Sequence, residues 1–341
     1  MLVADFFYDL PEERMAKFPP KERGTTRLLV LNRETGELVD SRYRELGEFL
    51  RPGDLMILND TRVMRSRVLT ELPDGRAREL VVLEKHGDEK QRVLYRGKLH
   101  EGDRLTVLDR EKQATTERVR IERILGNGTA EVKTESGRGL WEVAEEFGVV
   151  PLPPYLKREA TAEDTKRYQT VWAREVGSAA APTASLNMTE QLIQELKEKG
   201  VKVEYLTLHV GLGTFLPIRT EEVEKHEMHS EWFLIPDETL EAIKQTKAQG
   251  GRVVAVGTTV ARTLEFYAKT GKTSGEDNIF IYPGFKFGLV DVLLTNFHAP
   301  KSTVLMLAAA FAGWDKLHAA YQHAVEEKYQ FLSYGDSMLI M

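Results

Sequence analysis

Val253-Val254-Ala255-Val256-Gly257-Thr258-Thr259-Val260-Ala261-Arg262 runs from four apolar residues, through a glycine and two hydroxyl residues, to a cation. A short apolar run closed by a glycine reads as a strand buried on both faces. The segment 260–269 that follows has helical spacing, and Thr258 or Thr259 is its expected N-cap. A buried strand feeding straight into a helix argues for a sheet covered by helices.

The alternation continues in both directions. Thr189–Lys199 reads as a helix capped by Thr189, with Leu192, Ile193 and Leu196 on its apolar stripe and Gly200 at its end. Val201–Val210 reads as a strand, Thr220 as the start of a helix, and Asp237–Gln249 as another helix. Strands are expected at Ile279–Tyr282, Leu289–Leu294 and Met338–Ile340, and helices at Thr303–Ala312 and Trp314–Lys328. Arg27–Asn32 and Leu55–Asn59 are strands of the same kind.

Residues 62–150 differ in texture. Short alternating segments at Glu79–Glu84, Arg92–Tyr95, Arg104–Leu108, Arg118–Ile124 and Thr129–Thr134 are separated by polar turns, which predicts a small barrel or sandwich. Trp141–Phe147 is a short closing helix, and Pro151-Leu152-Pro153-Pro154-Tyr155 a stiff linker. The expected fold class is α/β: a layered αβα main domain built from 1–61 plus 151–341, with an inserted small antiparallel β-barrel domain at 62–150.

Composition limits the chemistry. The chain has 341 residues, 42% apolar and 29% charged, a globular balance. It has no cysteine, which excludes disulfides, thiolate metal sites, iron–sulfur clusters and a thiol nucleophile. A net charge of -6 argues against attachment to nucleic acid by bulk positive charge. Residues 62–123 nevertheless carry 16 basic against 12 acidic side chains, either a solvated surface or a patch facing phosphates. Asp5 and Asp9 do not suit an export signal, and the longest apolar run, Val304–Ala312, falls far short of the ~20 residues of a spanning helix. A soluble cytoplasmic protein, and a monomer, is expected.

Several segments could carry chemistry. Leu208–Phe215 follows a strand, with His209 as a possible acid or base and Gly211, Gly213 and Thr214 allowing close approach of a ligand, or only a tight turn. The Gly257-Thr258-Thr259 turn suits an anion or ribose at a helix start, and Arg262 one turn later could clamp a carboxylate. His226 and His229, three apart on an expected helix, stand beside Glu231 without a partner motif for zinc, so acid–base work or substrate contact by one of them is favoured over a metal, which is not expected, and two surface histidines are the alternative. Asn296, His298 and Ser302 lie on a loop before an apolar helix that Ser302 can cap. Asn59, Asp60, Thr61 and Arg62 mark the boundary between body and insert, and Asp336 follows a glycine before the last strand. Polar groups at several strand ends predict an enzyme with a bulky polar substrate.

These segments, together with Asp9-Leu10-Pro11, Pro52-Gly53-Asp54, Arg167-Tyr168-Gln169-Thr170-Val171 and Gly177-Ser178-Ala179-Ala180-Ala181-Pro182-Thr183-Ala184, resemble the S-adenosylmethionine:tRNA ribosyltransferase-isomerases of queuosine biosynthesis nearly end to end. The resemblance implies that S-adenosylmethionine is a co-substrate that donates its ribosyl unit. No other cofactor is implied. The acceptor is the 7-aminomethyl-7-deazaguanine base at the tRNA wobble position, the product epoxyqueuosine, and adenine and methionine leave. From residue chemistry, His209 and His298 are expected to share the roles of base and acid in either order, Arg262 with Thr258 and Thr259 to hold the methionine carboxylate, and Asn59, Asp60, Thr61 and Arg62 to be neighbours of the nucleotide in a cleft between body and insert. Tyr168, Thr183 and Asn187 join them as substrate-binding candidates. One departure stands out: Ala184-Ser185-Leu186-Asn187-Met188-Thr189 replaces the family's usual Ala-Gly-Leu-His-Phe-Thr. A tRNA-binding paralogue with altered or lost catalysis is the alternative, and another S-adenosylmethionine enzyme, such as a methyltransferase, a more distant one.

Overall fold

Leu55, Met56, Ile57 and Leu58 are all fully buried, which only the middle of a sheet covered on both faces allows. The computed structural model describes residues 1–83, 91–126, 128–211, 218 and 220–341. Gly213 and Thr214 lie outside the described residues. In chain order come β1 (Arg27–Leu31), β2 (Leu38–Arg42), β3 (Leu55–Asn59), β4 (Thr61–Val63), β5 (Arg67–Glu71), β6 (Ala77–Val82) and β7 (Gln91–Arg96). Then follow β8 (Arg104–Leu108), β9 (Ala114–Gly126), β10 (Thr129–Thr134), α1 (Leu140–Phe147), α2 (Ala162–Arg167), β11 (Glu175–Ser178), α3 (Glu190–Glu198) and β12 (Lys202–Leu208). The chain ends with β13 (Glu231–Leu234), α4 (Asp237–Ala248), β14 (Val253–Val256), α5 (Thr258–Thr270), β15 (Ser274–Asp277), β16 (Val292–Asn296), α6 (Thr303–Ala312), α7 (Trp314–Glu326) and β17 (Ser337–Ile340).

The chain forms two compact units. Met1–Thr61, Gln169–Glu175 and Ala181–Met341 make the first; Arg62–Tyr168 and Val176–Ala180 make the second. The second unit thus runs past residue 150. Pro151, Leu152 and Pro153 are buried rather than extended through solvent as a linker would be. In α2, Thr161 caps the helix, and Arg158 grips the buried Asp164 with two bonds of 2.7 Å.

The first unit is built on a nine-stranded sheet of order β15-β13-β12-β3-β14-β16-β17-β1-β2. β12, β3, β14 and β16 are mutually parallel. One face of the sheet, with Met56, Leu58, Val254, Val256 and Leu294, packs on Leu192, Ile193 and Leu196 of α3. The alternate residues Leu55, Ile57, Val253, Ala255 and Leu293 are equally buried on the other face, where α4 and α5 cover the sheet. Thr189 caps α3 through Leu192 N at 3.1 Å, and Ser302 caps α6 through Leu305 N at 3.3 Å.

The second unit is a closed antiparallel barrel, β10-β7-β6-β5-β8-β9. Val68, Leu80, Val93, Leu105, Val119 and Val132 fill it, and Leu140, Val143 and Ala144 of α1 join the same core. No helix among the described residues is long and apolar enough to cross a membrane.

Two expected elements are absent. No helix starts at Thr220: Val223–Lys225 forms a single 3-10 turn, because the backbone of 221–223 pairs with the chain start, Val3 N donating to Glu221 O and Val223 N to Met1 O. Ile279–Tyr282 is not a strand; β15 lies just before it and pairs with β13.

Candidate active site

The sheet order turns about β3, with β12 on one side and β14 and β16 on the other. Crevices at the carboxyl ends of parallel strands at such a turning point are the standard ligand sites of open α/β sheets. Asn59 ends β3, His209 follows β12, Gly257 follows β14 and Asn296 ends β16, so the candidates share one edge of the sheet.

At the end of β3 the side chains hold one another. Asn59 donates from Nδ2 to Leu208 O (2.9 Å), and its Oδ1 accepts from Leu208 N (3.1 Å) and Thr61 N (3.0 Å). The amide therefore extends the β3–β12 ladder, and Asn59 is a buried clamp rather than a contact for nucleotide. Asp60 accepts from Arg174 Nε and Thr207 Oγ1, both at 2.7 Å. The bond it donates to Asp60 raises the pKa of Arg174. Thr61 Oγ1 stands 2.8 Å from His209 Nδ1 and 3.4 Å from Glu175 O. His209 is half-buried, and its ring stacks on Trp232 with centroids 5.1 Å and planes 22° apart.

The turn after β14 is the second part of the site. Gly257 is itself the N-cap of α5, at φ +99°, a conformation that side chains rarely adopt. Neither threonine caps the helix, contrary to expectation. A cleft beside this helix start is lined by Thr258, Thr259, Arg262 and Thr303 on one part and by apolar Met228, Ile279, Phe280, Ile281, Val304 and Leu307 on the rest. The Oγ1 atoms of Thr259 and Thr303 are buried without a hydrogen-bond partner among the described residues. Two helix N-termini and two unsatisfied hydroxyls make this cleft suitable for an anion.

Arg262 backs that cleft but is already engaged. Its guanidinium bonds Glu231, and its Nε donates to Asp277 Oδ2 at 3.1 Å, all three residues being buried. Burial opposes the charge on Arg262, and the two carboxylates outweigh it, so the pKa rises. Burial pushes the Asp277 carboxyl up, with Arg262 opposing. The carboxylates that Arg262 holds come from the chain itself. Glu231 also accepts from Gly211 N at 2.6 Å, so the triad ties down the loop that carries His209.

Across β16 and β17, Thr183 donates to Asn296 Oδ1 (2.8 Å), and Asn187 donates to Gly335 O (3.1 Å). Asp336 accepts from Arg27 N and Gln330 N at 2.7 Å each, and burial raises its pKa. A side chain on Gly335 would collide with the Gln330 carbonyl and the Phe331 backbone, so this turn requires glycine.

His298 Nε2 is 3.0 Å from Thr295 Oγ1, its N–H donates to the Tyr321 hydroxyl, and its carbonyl accepts from Tyr8; burial pushes its pKa down to about 3. β12 and β16 are three places apart in the sheet, about 14 Å at the usual spacing, so one reacting atom cannot touch both His209 and His298. His226 and His229 lie on irregular chain rather than on a shared helix face. His226 packs on Phe280, and its pKa is lowered by burial and by His229. Among the described residues no three metal-ligating side chains converge. Ser302 serves as a helix cap, Arg62 is exposed, and Tyr168 is buried in the second unit. Trp232, Thr303, Arg174 and Asp277 were missed in the sequence; the run His229-Ser230-Glu231-Trp232 was the one available signal for Trp232.

The comparisons agree with this architecture. Residues 3–340 match the family model described as "Queuosine biosynthesis protein". A relative from Chlorobium phaeobacteroides, named S-adenosylmethionine:tRNA ribosyltransferase-isomerase, is 53% identical over 100% of both chains. One of the same name from Francisella tularensis subsp. tularensis is 41% identical over 100% of both. The crystal structure of S-adenosylmethionine tRNA ribosyltransferase from Thermotoga maritima matches at a TM-score of 0.56 and 32% identity, covering 99% of this chain and 100% of that one. The chain belongs to the queuosine biosynthesis protein family.

Proposed function

We propose that this chain transfers and isomerises the ribosyl unit of S-adenosylmethionine onto the 7-aminomethyl-7-deazaguanine base at the tRNA wobble position, giving epoxyqueuosine in tRNA and releasing adenine and methionine. The observation that carries this reading is the gathering of His209, Thr61, Thr258, Thr259 and Asn296 at the carboxyl ends of adjacent strands, in a chain that matches its relatives over their full length.

The chemistry asks for proton transfer and for charge recognition. The sulfonium acidifies the neighbouring C5′–H, so a base of ordinary strength can remove that proton. We assign this step to His209. Thr61 fixes the ring through Nδ1, and Trp232 fixes its plane. The α5 and α6 N-termini, with Thr259 and Thr303, receive the methionine carboxylate, while Arg262 holds the His209 loop through Glu231. His298, with its pKa near 3, is neutral at physiological pH and positions Thr295. Thr183, Asn187 and Asn296 form the polar wall against which the ribosyl unit rests. S-adenosylmethionine is consumed as a co-substrate and the reaction draws on no other cofactor. The single chain is the working unit, in the cytoplasm where both substrates are found.

The test is product analysis after mixing the protein with S-adenosylmethionine and tRNA carrying the aminomethyl-deazaguanine base. Adenine and methionine in equal amounts support the proposal. S-adenosylhomocysteine would mark a methyltransferase, and tight tRNA binding without adenine release would mark the paralogue.

A further inference from the structure

Along β13 the strand alternation sends Glu231 and Phe233 into the core and leaves Trp232 and Leu234 facing outward. Trp232 is 43% exposed, large for an aromatic side chain, and it is not a loose surface residue. Its carbonyl accepts from His209 N at 2.9 Å and its ring lies stacked on the His209 imidazole. On the other flank, register sets Trp232 directly opposite the exposed Glu276 of β15. His209, Trp232 and Glu276 therefore form a row across three neighbouring strands on one sheet face. Tyr205 lies on that same face of β12, four residues before His209, with the Arg174 guanidinium 5.0 Å above its ring and 58% of the Arg174 side chain exposed.

We infer that Trp232 is the stacking platform for the target base of the tRNA, and that Glu276 reads the N–H donors on that base's edge. An indole face takes any base, and each such stack is worth about 1–3 kcal/mol. A carboxylate accepts from the paired N–H groups of a guanine-type edge, whereas an adenine edge presents an acceptor beside its single amino group. Neighbouring side chains across paired strands sit about 5 Å apart, within reach of one ring system lying over Trp232. The His209 imidazole covers one face of the indole, so the base takes the other face, with the indole between it and the proton-transfer group. Arg174 supplies a cation on the same face for the sugar–phosphate chain, a contact that positions without reading sequence. The inference deepens the proposed function and rests on it.

Binding is read by fluorescence anisotropy of a labelled anticodon stem-loop that carries the aminomethyl-deazaguanine base, alongside a loop with an abasic nucleotide in its place. Trp232→Ala is expected to weaken binding of the base-carrying loop by about tenfold or more, and Trp232→Phe by about threefold. Glu276→Gln is expected to weaken it by about threefold or more. Wild type, Trp232→Ala and Glu276→Gln should bind the abasic loop alike, and the KM for S-adenosylmethionine should not move. Equal affinity of wild type and Trp232→Ala for the base-carrying loop overturns the inference. So does a rise in the KM for the donor with loop affinity unchanged, which would put the donor's adenine on the ring instead. If wild type releases adenine but Trp232→Ala loses no affinity, only the platform falls; if wild type binds no loop at all, the proposed function falls with it.

Discussion

Thr61 Oγ1 lies 2.8 Å from His209 Nδ1, joining the first residue of β4, two past the end of β3, to the residue that follows β12. A hydroxyl on Nδ1 holds the orientation of the ring. Thr61→Val keeps the shape and removes the bond, so kcat should fall about 10–100-fold while the KM for both substrates changes little. His209→Gln should lose about 10²–10⁴-fold, the usual contribution of a positioned acid or base. Steady-state rates of adenine release measure both.

Arg262→Met should destabilise the protein by about 3–5 kcal/mol, because it leaves Glu231 and Asp277 as buried carboxylates without their cation. Arg262→Lys, which keeps one charge but not the fork, should fall between Met and wild type. Thermal melts give the ranking. Turnover should fall along with stability, because Glu231 also holds Gly211 N and thereby the loop bearing His209.

The half-buried His298 makes the fold acid-sensitive in a defined window. Its folded pKa, about 3, lies below the unfolded value near 6.5, so the unfolded chain takes up the proton first. Stability from this residue is complete above pH 6.5 and is lost as pH falls from there toward 3. From pH 7 to pH 5 the loss is about 2 kcal/mol. Urea titrations at the two pH values should show His298→Gln losing less on acidification than wild type, by about that amount.

Asn187 stands where the family usually has histidine, and its amide holds the Gly335 carbonyl. A histidine N–H can make the same bond. Asn187→His should therefore change turnover by less than about threefold, whereas Asn187→Leu, which leaves that carbonyl unmet, should cost about 1–3 kcal/mol of stability. A large gain in rate for Asn187→His would assign a proton to this position.

What the sequence made legible is what is decided locally. Leu55–Asn59 and Val253–Val256 announce themselves as apolar runs, and the Thr189 cap is readable from Thr189 and the stripe that follows. β15 was illegible: Ser274-Gly275-Glu276-Asp277 has no strand-forming preference, and it is a strand because β13 pairs with it. The Thr220 helix failed because residues 221–223 satisfy their backbone on the chain start, more than two hundred residues away. Arg262 looked open for the same reason, its carboxylates lying 31 and 15 residues distant. Asn59 looked like a ligand contact, and only the register of β3 with β12 reveals it as a clamp. Side chains that answer to distant partners cannot be assigned from their neighbours in sequence.

The most direct measurement is the fate of label from S-adenosylmethionine carrying heavy carbon throughout its ribose. After reaction with the aminomethyl-deazaguanine tRNA and digestion to nucleosides, the modified nucleoside should contain every ribose carbon of the donor, and the released adenine and methionine none. Label that remains with adenosine or S-adenosylhomocysteine, or a tRNA nucleoside that gains only the donor's methyl group, would contradict ribosyl transfer by this chain.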